Sequence, residues 1–155
     1  MKTIKIENIT LEIDENKTEN FYKTQNTFVC DCSDCVNYLS KIPDVLNSLN
    51  GIDRSLGIDL RKAVGQGMDE LMPHDFEDYQ LYVVPYYVVG KCFLNGIELE
   101  KELSEAIWNN TKRVEKKLSE NLSMTIINTT DSIKIGNAEN VLTIWLEFKT
   151  ELIKK

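Results

Sequence analysis

The apolar positions near the amino terminus change phase. Ile4 and Ile6 fall on even positions, whereas Ile9, Leu11 and Ile13 fall on odd ones. Strand side chains alternate with period two, so the shift at Glu7 and Asn8 predicts two short strands joined by a tight turn or a bulge. Asp14 then stands where a helix N-cap would, with Glu15 in the first turn and Phe21 and Tyr22 as the packing residues of a short helix. Thr27 to Cys30 is β-branched and aromatic and reads as an extended segment. Beyond it, Val36, Leu39 and Ile42 recur at three-residue spacing, which predicts a helix capped by Ser33 or Asp34 and stopped or bent near Pro43. A second helix starting at Pro43 would bury Val45, Leu46, Leu49, Ile52 and Leu56. It would carry Gly51 at a cost of about 1 kcal/mol and stop at Gly57.

Residues 58 to 79 are punctuated by Gly65, Gly67 and Pro73, and suggest a partly helical connection followed by a loop. The stretch YQLYVVPYYVVGKCFL at 79 to 94 is the most β-prone in the chain. Pro85 cannot donate to a ladder, so a bulge, an edge or a break is expected there. Asn95 and Gly96 make a strong hairpin-turn signal. From Glu98 to Asn121, Leu99, Leu103, Ile107, Val114 and Leu118 predict an amphipathic helix, weakest at Asn109 and Asn110. Two strands follow, Leu122 to Asn128 and Val141 to Phe148. Strands, helices, then strands again, without regular βαβ alternation, predict an α+β class: a mixed, mainly antiparallel sheet packed against helices in a single domain, 1–155.

Composition narrows the function classes. With 155 residues, 42% hydrophobic and 28% charged, the chain suits one core and no extended disordered tract. The net charge of −7, from 25 acidic against 18 basic side chains, repels phosphate backbones, so nucleic acid is not an expected partner. The tight basic group, Lys112, Arg113, Lys116 and Lys117, sits among glutamates and reads as a solvated face. No run approaches the ~20 apolar residues that span a bilayer, and MKTIKIENIT does not read as a signal peptide. A cytoplasmic protein is therefore expected, with a protein or small-molecule partner, no membrane, and sequons that carry no glycan.

Chemistry concentrates at TFVCDCSDCVNYL, residues 27 to 39, where three of the four cysteines fall within six positions. In a reducing compartment they are thiols, metal ligands or redox groups rather than structural disulfides. On an extended segment Cys30 and Cys32 share a face, and Cys35 at a helix start can fold back toward them. Zinc takes four ligands in structural sites, so Cys92 or His74 would complete Cys30, Cys32 and Cys35, with Asp31 and Asp34 as poorer donors. A redox reading instead pairs Cys32 with Cys35 as a CxxC at a helix N-terminus. Asp31 and Asp34 oppose a thiolate there, and no thioredoxin-like βαβ context surrounds the pair. A plainer reading packs the cysteines as small hydrophobes.

The order CxCxxCxNY at 30 to 38, a helix pair interrupted at Pro43, LGID at 56 to 59, YYVVGK at 86 to 91 and LEF at 146 to 148 resembles a family of small bacterial proteins of unknown function. The resemblance implies a common α+β domain with Cys30, Cys32, Cys35, Asn37 and Tyr38 as its signature. It implies no activity.

Other residues are weighed the same way. His74, the one histidine, lies beside Asp75, but no nucleophile can be tied to it, so a solvent-exposed loop position is expected. Tyr79, Tyr82, Tyr86 and Tyr87 read as packing residues with hydroxyls at the surface rather than a ligand pocket, and Trp108 and Trp145 as core rather than partner hot spots. Asn37 and Tyr38 are expected to hold the cysteine loop by hydrogen bonds. No phosphate loop, dinucleotide fingerprint or HExxH motif occurs. The expected function is a non-catalytic binding or interaction domain with a structural zinc at the CxCxxC loop; the rival is a thiol-disulfide oxidoreductase or redox sensor using Cys32 and Cys35.

Overall fold

The phase change near the amino terminus is a hairpin. In the computed structural model, which describes residues 1–25, 32–62, 73–101 and 113–151, β1 (Lys2–Ile6) and β2 (Ile9–Ile13) pair antiparallel. Ile6 lies opposite Ile9, so Glu7 and Asn8 alone make the turn, Glu7 at φ 54°. Helix α1 (Glu15–Lys23) starts as expected, with the Asp14 carboxylate accepting from the Lys17 amide at 3.1 Å.

Helix α2 (Ser33–Leu49) corrects two expectations. It runs 17 residues straight through Pro43, and its N-cap is Cys32 rather than Ser33 or Asp34. Proline forfeits the bond to the Leu39 carbonyl at a cost of about 3 kcal/mol. Its ring lies on the exposed face, while Ile42 and Val45 are buried on either side of it in sequence, and that packing carries the helix across. Continuity sets a single phase, so the buried stripe is Cys35, Tyr38, Ile42, Val45 and Leu49, and Val36 and Leu46 face solvent. Asn50 at φ 51° ends α2, and Gly51 separates it from α3 (Ile52–Leu56), which stops at Gly57.

The remaining elements are strands: β3 (His74–Asp75), β4 (Gln80–Leu94), β5 (Ile97–Glu98), β6 (Arg113–Lys117), β7 (Leu122–Asn128) and β8 (Val141–Thr150). They form an antiparallel sheet ordered β1-β2-β4-β8-β7-β6, with β3 and β5 also on β4. The expected helix over 98 to 121 gives way to strand at Arg113–Lys117; residues 102–112 of it lie outside the described residues. Val114 and Leu118 are four apart, a spacing that fits one helical turn and two strand repeats equally. Pairing with β7 selects the strand.

Pro85 does not interrupt β4, which runs 15 residues and pairs with β8 from Gln80 to Val89. Backbone groups of successive strand residues point to alternate sides. The Gly90 amide donates toward β8, to the Asn140 carbonyl, whereas Tyr87 and Val89 turn the other way, toward α1. Pro85 shares the parity of 87 and 89, so its missing N–H falls on the side without β8. The start of α1 covers that side: buried Thr18 accepts from the Val89 amide at 3.0 Å, and the Asp14 amide donates to the Val89 carbonyl at 2.8 Å.

One sheet face carries the core. Ile9, Leu11, Ile13, Tyr82, Val84, Tyr86, Val88, Cys92, Met124, Ile126, Ile144 and Leu146 are all buried beneath the stripe of α2, Tyr22 and Leu56. An ion pair of 2.6 Å between Lys116 in β6 and Glu7 in the first turn joins opposite edges of the sheet, so the sheet curls strongly. Among the described residues no helix is long and apolar enough to cross a membrane.

Gly90 is where β4 changes neighbours. A Cβ there would collide with the Glu12 carbonyl oxygen and come within 2.9 Å of Ile13 Cδ1. Gly90→Ala is therefore expected to cost about 3 kcal/mol, read as a lower urea midpoint at unchanged slope. Thr18→Val, which keeps the shape and strands the Val89 amide, should cost about 1–3 kcal/mol while Thr18→Ser costs little.

Candidate functional site

The cysteine corner is built by the start of α2. Cys32 takes extended backbone at φ −62°, ψ 159°, and its Sγ accepts from the Cys35 amide at 3.4 Å. The thiol thus fills the capping role usually taken by a serine or aspartate oxygen. Cys32 is half-buried and Cys35 fully buried, so the two thiols of one helical turn meet solvent unequally.

The rest of the motif anchors this turn. Asn37 Nδ2 donates to the Tyr82 hydroxyl at 3.2 Å, and that hydroxyl donates to the Asp34 carbonyl at 2.8 Å. Tyr38 reaches deeper, where its hydroxyl and that of Tyr86 both donate to the Leu60 carbonyl at 2.8 Å and also meet each other. The hydroxyls of Tyr82 and Tyr86 were expected at the surface. They turn inward because residues 82 and 86 share the core face of β4, and above it the Asp34 carbonyl of α2 accepts from Tyr82 and the Leu60 carbonyl, past α3, accepts from Tyr86. The parity of 82 and 86 was visible in the sequence; their acceptors, the Asp34 carbonyl for Tyr82 and the Leu60 carbonyl for Tyr86, were not.

The other proposed ligands lie apart from the corner. His74 is exposed on β3 opposite Leu81, and therefore on the sheet face away from Tyr82 and α2. Asp75, its neighbour, accepts from Gln80 Nε2 at 2.8 Å. Cys92 is buried opposite Leu11, and the ten residue steps of β4 from Tyr82 to it amount to about 33 Å of strand at roughly 3.3 Å per residue. Burial pushes its thiol up to about 11. Cys30 lies outside the described residues. Among the described residues no group of three His, Cys, Asp or Glu side chains gathers as a metal site.

A surface cleft of about 770 Å³ opens between α2 and the ends of β7 and β8, lined by Lys41, Asp44, Ser48, Tyr79, Asn121 and Lys149 among others. Lys149 sits over the Tyr79 ring at 4.8 Å, and the mixed charges single out no ligand. Trp145, opposite Pro85, is half-buried. No known protein family, no curated protein and no solved structure matches the chain. The cysteine corner is the described chemistry that sequence and geometry pick out together.

Burial pushes Tyr82 up to about 12 from an ordinary 10.0, and Tyr22, Tyr38 and Tyr86 upward as well. A proton held more tightly in the folded chain contributes stability that is complete below the unfolded value and is lost as pH rises through the folded one. For Cys92, from 9.0 to about 11, and Tyr82, from 10.0 to about 12, that window spans pH 9 to 12. The urea midpoint should be level below pH 9 and fall across this window. Tyrosinate absorbance from Tyr22, Tyr38, Tyr82 and Tyr86 is expected to appear together with unfolding rather than before it.

Proposed function

We propose that Cys32 and Cys35 form a dithiol that exchanges with disulfides, as a thiol-disulfide enzyme or redox sensor. What carries the reading is the amide of Cys35 lying 3.4 Å from Cys32 Sγ at the start of a 17-residue helix. An N–H donor and the positive end of a helix favour a sulfur bearing negative charge. Asp34 in the same turn works against this, and the amide contact offsets it locally. The fourth-ligand candidates for a closed metal site, His74 and Cys92, lie away from this turn, which leaves the pair as the better-supported unit.

The exchange needs only a disulfide as oxidant. The Cys32 thiolate attacks one sulfur of a small-molecule or protein disulfide, forming a mixed disulfide and expelling the other sulfur as a thiolate that takes up a proton. Cys35 loses its proton and attacks Cys32 Sγ, which releases the second thiol. Two electrons pass to the substrate, and one S–S bond forms as one breaks. Cys35, buried, acts only from within, so the exposed side of Cys32 makes the first attack.

The N–H bond to sulfur also favours a second reading, since metal-bound thiolates are commonly held by such donors. There Cys30, Cys32 and Cys35 would supply three sulfurs to a zinc ion that fixes the loop of a binding domain.

One experiment separates them. Protein purified without chelator is assayed for metal, then equilibrated in glutathione buffers of stepped potential and mapped by mass spectrometry. A reversible Cys32–Cys35 disulfide that persists in Cys30→Ser is expected. About one zinc per chain, with Cys32 and Cys35 protected from oxidation until the metal is stripped, would establish the second reading instead.

A further inference from the structure

Tyr82 meets the first turn of α2 from the sheet. Its ring stacks on Phe148 with centroids 5.2 Å apart and 16° between planes, and leans on Tyr38 at 5.7 Å. A ring held on two sides leaves its hydroxyl one direction. That oxygen accepts from Asn37 Nδ2 and donates to the Asp34 carbonyl at 2.8 Å.

The Asp34 carbonyl and the Cys35 amide belong to the same peptide unit. This unit is planar, with C=O and N–H pointing opposite ways. One end receives the Tyr82 hydroxyl, and the other donates to Cys32 Sγ at 3.4 Å. A hydrogen bond to the carbonyl oxygen both fixes the plane and polarises the amide, which strengthens the N–H as a donor. Tyr82, Asp34–Cys35 and Cys32 thus form one relay, from a buried strand to a half-exposed thiol.

We propose that Tyr82 is a positioning residue for the thiol pair, acting through the Asp34–Cys35 peptide to hold and polarise the amide that stabilises a Cys32 thiolate. The proposal rests on the dithiol reading above. It adds a residue 50 positions away in sequence, on another element, that sets the reactivity of Cys32 without touching a substrate. Tyr22 supplies the contrast: its hydroxyl is also buried and donates to a carbonyl, that of Tyr87 at 2.9 Å, but this peptide belongs to β4 and not to the cysteine turn.

The test is the pH profile of iodoacetamide alkylation at Cys32, followed by peptide mapping in a Cys30→Ser background. Tyr82→Phe, which keeps the ring, is expected to slow alkylation at pH 7 about three- to tenfold and to raise the midpoint by about half to one pH unit. Tyr22→Phe should leave the midpoint in place while lowering stability by a similar amount. Asn37→Ala, which loosens the phenol but keeps it, should move the midpoint the same way by less. An unmoved midpoint in Tyr82→Phe, or an equal shift in Tyr22→Phe, would overturn the proposal. If Tyr82→Phe does not fold, Asn37→Ala decides, and no shift there overturns it as well. The parent reading fails separately, by the absence of a Cys32–Cys35 disulfide in wild-type protein at any glutathione potential.

Discussion

The approach of β2 to Gly90 is the constraint on which the described architecture turns. Strand β4 belongs to two sets of neighbours: β8 along its first ten residues, β2 along its last five. The handover happens at one residue, where the Glu12 carbonyl occupies the space a Cβ would need. Because β2 can close in there, the first hairpin joins the same sheet as β7 and β8, and Ile9, Leu11 and Ile13 add to the face that α2 covers. The curl of the sheet and the depth of its core follow from that contact.

The cysteine corner inherits its order from this core. Helix α2 is held on the sheet by hydroxyls as well as by apolar burial: Tyr38 and Tyr86 converge on the Leu60 carbonyl, and Tyr82 on the Asp34 carbonyl. Each bond replaces water at a buried polar group, and the net gain of each is about 1 kcal/mol. Their larger effect is directional. They fix the rotation of α2, and with it the depth at which Cys35 is buried while Cys32 keeps part of its surface.

Local rules in the sequence were enough to place most strands. The hairpin at Glu7–Asn8, the Asp14 cap, the Asn95–Gly96 turn and the strands at 122 and 141 all rest on periodicity or turn chemistry, which neighbours in sequence decide. The misses are tertiary overrides. Pro43 would break an isolated helix, but burial on both sides of it outweighs one lost bond. At Pro85 a bulge, an edge and a break were all open, and β8 on its other side selects the edge. Val114 fits helix and strand alike until β7 selects between them. At the site, Cys32, Cys35 and the anchoring roles of Asn37 and Tyr38 were legible from the motif, whereas Tyr82 was not, because a link between residue 82 and residue 34 belongs to the sheet rather than to any local pattern.

The ion pair between Lys116 and Glu7 also bears on how copies of the chain meet in a crowded solution. The outermost strands of the described sheet, β1 and β6, carry Lys2 and Lys5 on one and Arg113, Lys116 and Lys117 on the other. A second chain seeking to add its own outer strand would have to strip water from these charged side chains and disturb the Lys116–Glu7 pair, which makes edge-to-edge stacking into aggregates unfavourable. An acidic protein has in this way put some of its cations where the outer strands of the described sheet would otherwise invite growth.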